Sequence, residues 1–160
     1  MGVSIRSAGP EAAAALVPLL CEVQGLHAAH LPDDFLPPTD IAAARDWLAS
    51  WLGQVGVFGL LAEVPGTSAP VGYAICEIAA RPPSLLRPAL RIATLHHICV
   101  DPAHRRQGIA RALIGEAQVR ARAETCSRFR ATFHDFNRAS AALMRSTGLA
   151  PRLIVSERKL

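Results

Sequence analysis

The chain has 160 residues, 51% of them hydrophobic and 19% charged; this suits one domain over residues 1–160 with a core of its own, and excludes a disordered chain. No run approaches the roughly 18 apolar residues a membrane helix needs, and the Ala12–Leu20 run, cut by Pro18 and lacking a basic start, reads as a helix rather than a leader. The net charge of +4 is uneven: residues 1–100 carry 5 basic and 8 acidic side chains, residues 101–160 carry 12 and 5, which points the second half at an anion.

Aromatic residues make up only 5% of the chain, too few for a stacking platform for bases, so nucleic acid is not the expected partner. Cys21, Cys76, Cys99 and Cys126 form no C-x-x-C pair. They read as buried free thiols in a reducing, cytoplasmic setting, not as a zinc site or a disulfide framework.

In chain order, Val3 to Arg6 alternates as a strand, and Pro10 starts a helix reaching Gly25 or His30. The prolines of 31–38 make a loop. Thr39 or Asp40 caps a helix through Leu52, with Ile41, Ala44, Leu48, Trp51 and Leu52 at helical spacing. Val55–Val64 and Val71–Ala79 read as a hairpin around Pro65–Pro70. After a proline-rich excursion from Arg81 to Pro88, Arg91–Val100 is a strand, Gln107 to about Glu124 a helix, Arg128–His134 a strand, Asn137–Thr147 a helix, and Leu153–Arg158 a last strand. The strand–helix–strand stretch from 91 to 134 implies a parallel crossover, and the hairpins imply antiparallel pairing.

The informative stretch is Leu95-His-His-Ile-Cys-Val-Asp-Pro-Ala-His-Arg-Arg-Gln-Gly-Ile-Ala-Arg111. A strand runs through an arginine-rich turn into a helix opened by Gly108. Unpaired amides and the positive end of the dipole make such a start an anion cradle. Gly108 allows close backbone approach, Ala110 keeps the next turn open, and Arg105, Arg106 and Arg111 add charge. The stretch is neither a Walker A loop nor a dinucleotide fingerprint.

The pattern Val-x-Pro-x-x-Arg-x-x-Gly-x-Ala, through Arg105, Gly108 and Ala110, resembles the acetyl-CoA motif of the GCN5-related N-acetyltransferase (GNAT) superfamily. Asn137, Leu143, Gly148 and Leu149 fall at the spacing of that family's next helix. The resemblance implies an α/β (α+β) fold: a mixed, largely antiparallel sheet flanked by helices and splayed between the fourth and fifth strands. It implies that acetyl-CoA is the co-substrate, that Ile98, Cys99 and Val100 pair with the pantetheine arm through their backbones, and that amides of Arg106, Gln107, Gly108, Ile109, Ala110 and Arg111 hold the pyrophosphate. It also implies that Asn137 contacts the pantetheine, with Ser140 beside it, and that the Val100 amide serves as an oxyanion donor. Homodimers are common among proteins resembling this one. Two positions depart from the pattern: Ser140 stands for a smaller residue, and Met144 replaces the tyrosine that often protonates the leaving thiolate.

The expected reaction is direct attack of a primary amine on the thioester. Expelling an unprotonated thiolate at pH 7 costs about 2 kcal/mol, whereas deprotonating an amine costs about 4–5 kcal/mol, so a base matters more than an acid. The candidates are His96, His97 and Glu77, with His134 or a water also open. His96 resembles a strand histidine of arylalkylamine N-acetyltransferases, and alternation sets His96 and His97 on opposite faces. His27 and His30, near Asp33 and Asp34, lack a completing cluster, so no metal is expected; they are expected to edge the acceptor pocket beside Phe35. Trp47 and Trp51 read as core or as a contact between copies. The alternative to an enzyme is a non-catalytic acyl-CoA sensor. Neither a membrane nor a nucleic acid is an expected partner.

Overall fold

The computed structural model describes residues 2–158. Strand β1 (Ser4–Ala8) leads through a 3-10 turn at Pro10–Ala12 into α1 (Ala13–His30). Next come α2 (Ile41–Leu52), β2 (Val57–Glu63), β3 (Gly72–Arg81) and β4 (Leu90–Val100). A 3-10 turn at Pro102–His104 then precedes α3 (Ile109–Ala123), β5 (Arg128–Ala131) and α4 (Arg138–Ser146). The five strands form one sheet in chain order, antiparallel up to β4 and parallel between β4 and β5. This is the mixed, largely antiparallel sheet expected.

Both faces of the sheet are covered, which is why its central strands read as nearly continuous apolar runs. Leu60, Ala62, Ala74, Cys76 and Leu95 point to one side and pack with Leu113, Ile114 and Ala117 of α3 and Met144 of α4. Their strand neighbours Leu61, Tyr73, Ile75 and Cys99 point to the other side and pack with Leu16, Leu19 and Leu20 of α1 and Leu48 and Leu52 of α2. The 21 residues of Pro10–His30 are long and apolar enough, by length and composition, to cross a membrane, although the linear sequence lacks an uninterrupted run. Leu16, Val17, Leu19 and Leu20 are buried against the protein itself. Pro18 falls on an exposed position of α1. Asp40 caps α2 by accepting from the Ala43 amide at 2.9 Å.

Three expectations are corrected. The segment Leu153–Arg158 forms no strand, and Leu153, Ile154 and Val155 are exposed; β-forming side chains make a strand only where a ladder partner is present. Cys76 and Cys99 are buried as expected, but Cys21 and Cys126 are only partly so, and all four are free thiols. Strand β5 stops at Ala131 rather than His134, and pairs only with Ile92–Leu95 of β4.

Candidate acetyl-transfer site

That short pairing opens the sheet. From His96 onward the β5 side of β4 has no strand beside it among the described residues, so the two strands splay where the resemblance implies the cofactor edge. The Asp101 amide donates to the Val71 carbonyl at 2.9 Å, and Gly72 lies opposite Val100. Antiparallel alternation then turns the backbone of Cys99 toward β3 and the backbones of Ile98 and Val100 toward the open edge. Cys99 thus has its side chain in the core and its amide in the ladder, a correction to its expected backbone contact. The Val100 carbonyl already accepts from Arg105 Nε at 3.0 Å, leaving the Val100 amide and both backbone groups of Ile98 on the edge.

The edge runs into the start of α3. Gly108 is the N-cap residue, with φ of 83°, no side-chain cap, and open space where a Cβ would stand. The amides of Ile109, Ala110 and Arg111 have no intrahelical acceptor. Those of Arg106, Gln107 and Gly108 have no backbone acceptor among the described residues. Arg106 is also left-handed, with φ of 64°. Such alternation gathers successive amides into a concave nest, the geometry that takes an anion. The Arg106, Gln107 and Arg111 side chains are exposed around it. Arg105 is different: it turns back, giving one hydrogen bond to Val100 and another to Glu22 Oε1 on α1 at 2.7 Å. Its side chain braces the turn rather than facing the nest.

Beyond the splay, Asn137 caps α4, its Oδ1 accepting from the Ser140 amide at 2.9 Å. This leaves the Asn137 Nδ2 donor unpaired among the described residues. Met144 is buried under α3, where its thioether has no proton to give.

The histidine pair differs from expectation. Leu95 lies opposite Cys76 and His97 opposite Ile75, so His96 is an extra residue in a β-bulge. A bulge breaks the period of two and re-aims side chains. Both rings therefore meet the same indole: Trp51 lies 5.9 Å from His96 and 5.1 Å from His97, centroid to centroid. His96 Nε2 is 2.9 Å from Glu77 Oε2, and both side chains are partly exposed. His97 is buried more deeply, with its Nδ1 3.2 Å from the Tyr73 hydroxyl. Burial, with lesser repulsion from His27 and His96, pushes the His97 pKa down to about 4.

Trp51 packs against the core cluster of α1 and α2, as expected, whereas Trp47 lies outside it. Their rings are 5.1 Å apart and stand over the histidines, Trp47 half exposed. A second aromatic group joins α1, the loop after it and the segment after β5. His27 is 5.0 Å from Phe35 and 5.6 Å from His134, and Phe136 stacks on His30 at 4.2 Å. The expected neighbourhood of His27, His30 and Phe35 is therefore present, joined by His134. Phe136 was missed; its signal was the aromatic cluster Phe133-His134-Asp135-Phe136 at a strand end. Burial and repulsion from His134 lower the His27 pKa. Among the described residues no group of three or more His, Cys, Asp or Glu side chains is disposed to hold a metal.

The arrangement offers an open strand edge, a bare amide nest and a carboxylate–imidazole pair on neighbouring strands. Several solved structures share the fold. The tetramutant of BH1408 protein from Bacillus halodurans superposes with a TM-score of 0.87 at 18% identity, over 98% of this chain and 99% of that one. The aminoglycoside N-acetyltransferase AAC(6')-Iy in complex with CoA gives a TM-score of 0.75 at 17% identity, over 99% of this chain and 95% of its own. A ribosomal-protein-alanine N-acetyltransferase from Brucella melitensis biovar Abortus 2308 gives 0.71 at 21% identity, over 99% and 100%. No curated protein matches significantly. The sequence matches the family model of the Acetyltransferase (GNAT) family over residues 25–149, most of the chain and all of the site except its first helix turns, and the protein therefore belongs to the GNAT acetyltransferases.

Proposed function

We propose that the whole chain acts as a single catalytic domain that transfers an acetyl group from acetyl-CoA directly to a primary amine of a small molecule or protein. The observation that carries this reading is the continuity of the open edge at Ile98 and Val100 with the bare amides from Arg106 to Arg111. A pantetheine amide pairs with the edge as a strand would, and the pyrophosphate sits on the nest, with Arg106 and Arg111 neutralising charge. Asn137 Nδ2 reaches the arm from α4, with Ser140 one turn further along. A relative in complex with CoA supports this choice of co-substrate.

The amine attacks the thioester carbonyl. A C–N bond forms, the C–S bond breaks, and the thiolate leaves with its electron pair. The amine proton passes to His96, whose ring is oriented by Glu77. Orientation of amine and thioester supplies much of the remaining rate. No metal enters the reaction. Four free cysteines suit a reducing cytoplasm, and neither a membrane nor a nucleic acid is proposed as a partner.

The buried Met144, which donates no proton, favours a second reading: an acyl-CoA sensor without turnover. One experiment separates the two. CoA binding is measured by calorimetry, and thiol release is followed across polyamines, aminoglycosides, arylalkylamines and peptide N-termini. Release with at least one class is expected. Tight CoA binding with no release from any class would favour the sensor, and no CoA binding would overturn both.

A further inference from the structure

Two polar groups next to the His96 ring have no part in that mechanism: the His97 ring, which shares Trp51 with it, and the Tyr73 hydroxyl bonded to His97. Tyr73 is fully buried in β3, and among the described residues its hydroxyl has one partner, His97 Nδ1 at 3.2 Å. If the hydroxyl only accepted, its own proton would be stranded in the core, the costlier arrangement. Burial raises the Tyr73 pKa far above its ordinary value, so the proton is present to give. The hydroxyl therefore donates to Nδ1, and the proton of the neutral ring sits on Nε2.

His97 Nε2 has no partner among the described residues. It is not sealed in the core either, since the buried side-chain atoms without partners are His27 Nδ1 and Arg81 Nε. The ring stands edge-on to Trp51 at 88°, one residue before Ile98 on the open edge. We infer that Tyr73 is a positioning residue that fixes His97 as a neutral Nε2–H donor, and that this donor hydrogen-bonds the carbonyl oxygen of the transferring acetyl group. The inference rests on the acetyl-transfer reading above. A ring with its lone pair occupied by Tyr73 takes no proton from the amine, and its N–H repels an ammonium. The ligand that suits it is an oxygen gaining negative charge, which the thioester carbonyl supplies as the tetrahedral intermediate forms.

The test has two parts. Nitrogen-15 NMR of histidine-labelled wild-type protein reads the tautomer of His97; Nε2–H is expected, and Nδ1–H would overturn the assignment before any assay. Tyr73→Phe is expected to give a mixture of tautomers and a partial loss of kcat. In turnover, His97→Leu is expected to lower kcat about a hundredfold, the usual cost of one such donor, with KM for acetyl-CoA within about twofold. His97→Gln, which returns an N–H near the Nε2 position, is expected to recover most of that loss. An active wild type with unchanged kcat in His97→Leu would overturn the donor alone. A wild type that binds CoA but acetylates no amine would overturn the transfer reading and the donor's role together, with the tautomer still as measured.

Discussion

At the scale of single residues, two adjacent histidines are given different chemistry by their surroundings. His96 keeps a carboxylate partner and the greater exposure; His97 is more deeply buried and gains a phenol. On the proposed mechanism only the first serves as the base. His96→Ala is accordingly expected to lower kcat about a hundredfold and to remove the acidic limb of the kcat/KM pH profile, with little change in KM for acetyl-CoA. Glu77→Gln keeps a hydrogen-bonding group beside the ring and should cost less. A pH profile unchanged in His96→Ala would clear His96 of base duty. Alternation along β4 predicts opposite faces for these rings, and the bulge at His96 defeats that reading. A bulge depends on pairing with β3, so residues 91–100 alone do not announce it.

At the scale of elements, the start of α3 joins sequence to function most directly. Gly108 has a left-handed backbone and nothing within 4 Å of an added Cβ. A side chain there disturbs the turn little beyond the roughly 1–2 kcal/mol of the left-handed conformation, but projects into the space an anion needs. Gly108→Trp is expected to weaken CoA binding by about two orders of magnitude, the loss of one or two charge-assisted hydrogen bonds. Circular dichroism and thermal melts should stay close to wild type; unchanged CoA affinity by calorimetry would remove the nest from the mechanism. This element was legible because its signals are local: strand, arginine turn, glycine, helix. The antiparallel hairpins were legible for the same reason. The C-terminal strand was misread because Leu153, Ile154 and Val155 carry β propensity that only a neighbouring strand turns into structure. Helical spacing put Trp51 against the core, where it is, but could not show that the half-exposed Trp47 faces His97.

At the scale of the whole molecule, the proposed reading gives the charge division a meaning: the basic half builds the turn and helix that would be offered to CoA, while the more acidic half carries α1 and α2. The site also leaves a mark on global stability, because it buries neutral groups that would otherwise titrate. His97 has a folded pKa of about 4 against about 6.5 when unfolded. Between those values the unfolded chain binds more protons, so stability is complete above about pH 6.5 and falls toward pH 4 by about 3 kcal/mol. The lowered pKa of His27 acts in the same direction. At the other end, burial pushes the Cys99 thiol up to about 11 and the Cys76 thiol up to about 12. Those contributions are complete below the ordinary thiol range and are lost as pH rises toward the folded values. Denaturant midpoints measured across pH should therefore show a plateau near pH 7–8 with a decline on each side. His97→Gln should flatten the acidic decline and leave the alkaline one in place. An acidic decline as steep in that variant as in wild type would mean that burial of the neutral His97 ring does not set the acidic limb of stability.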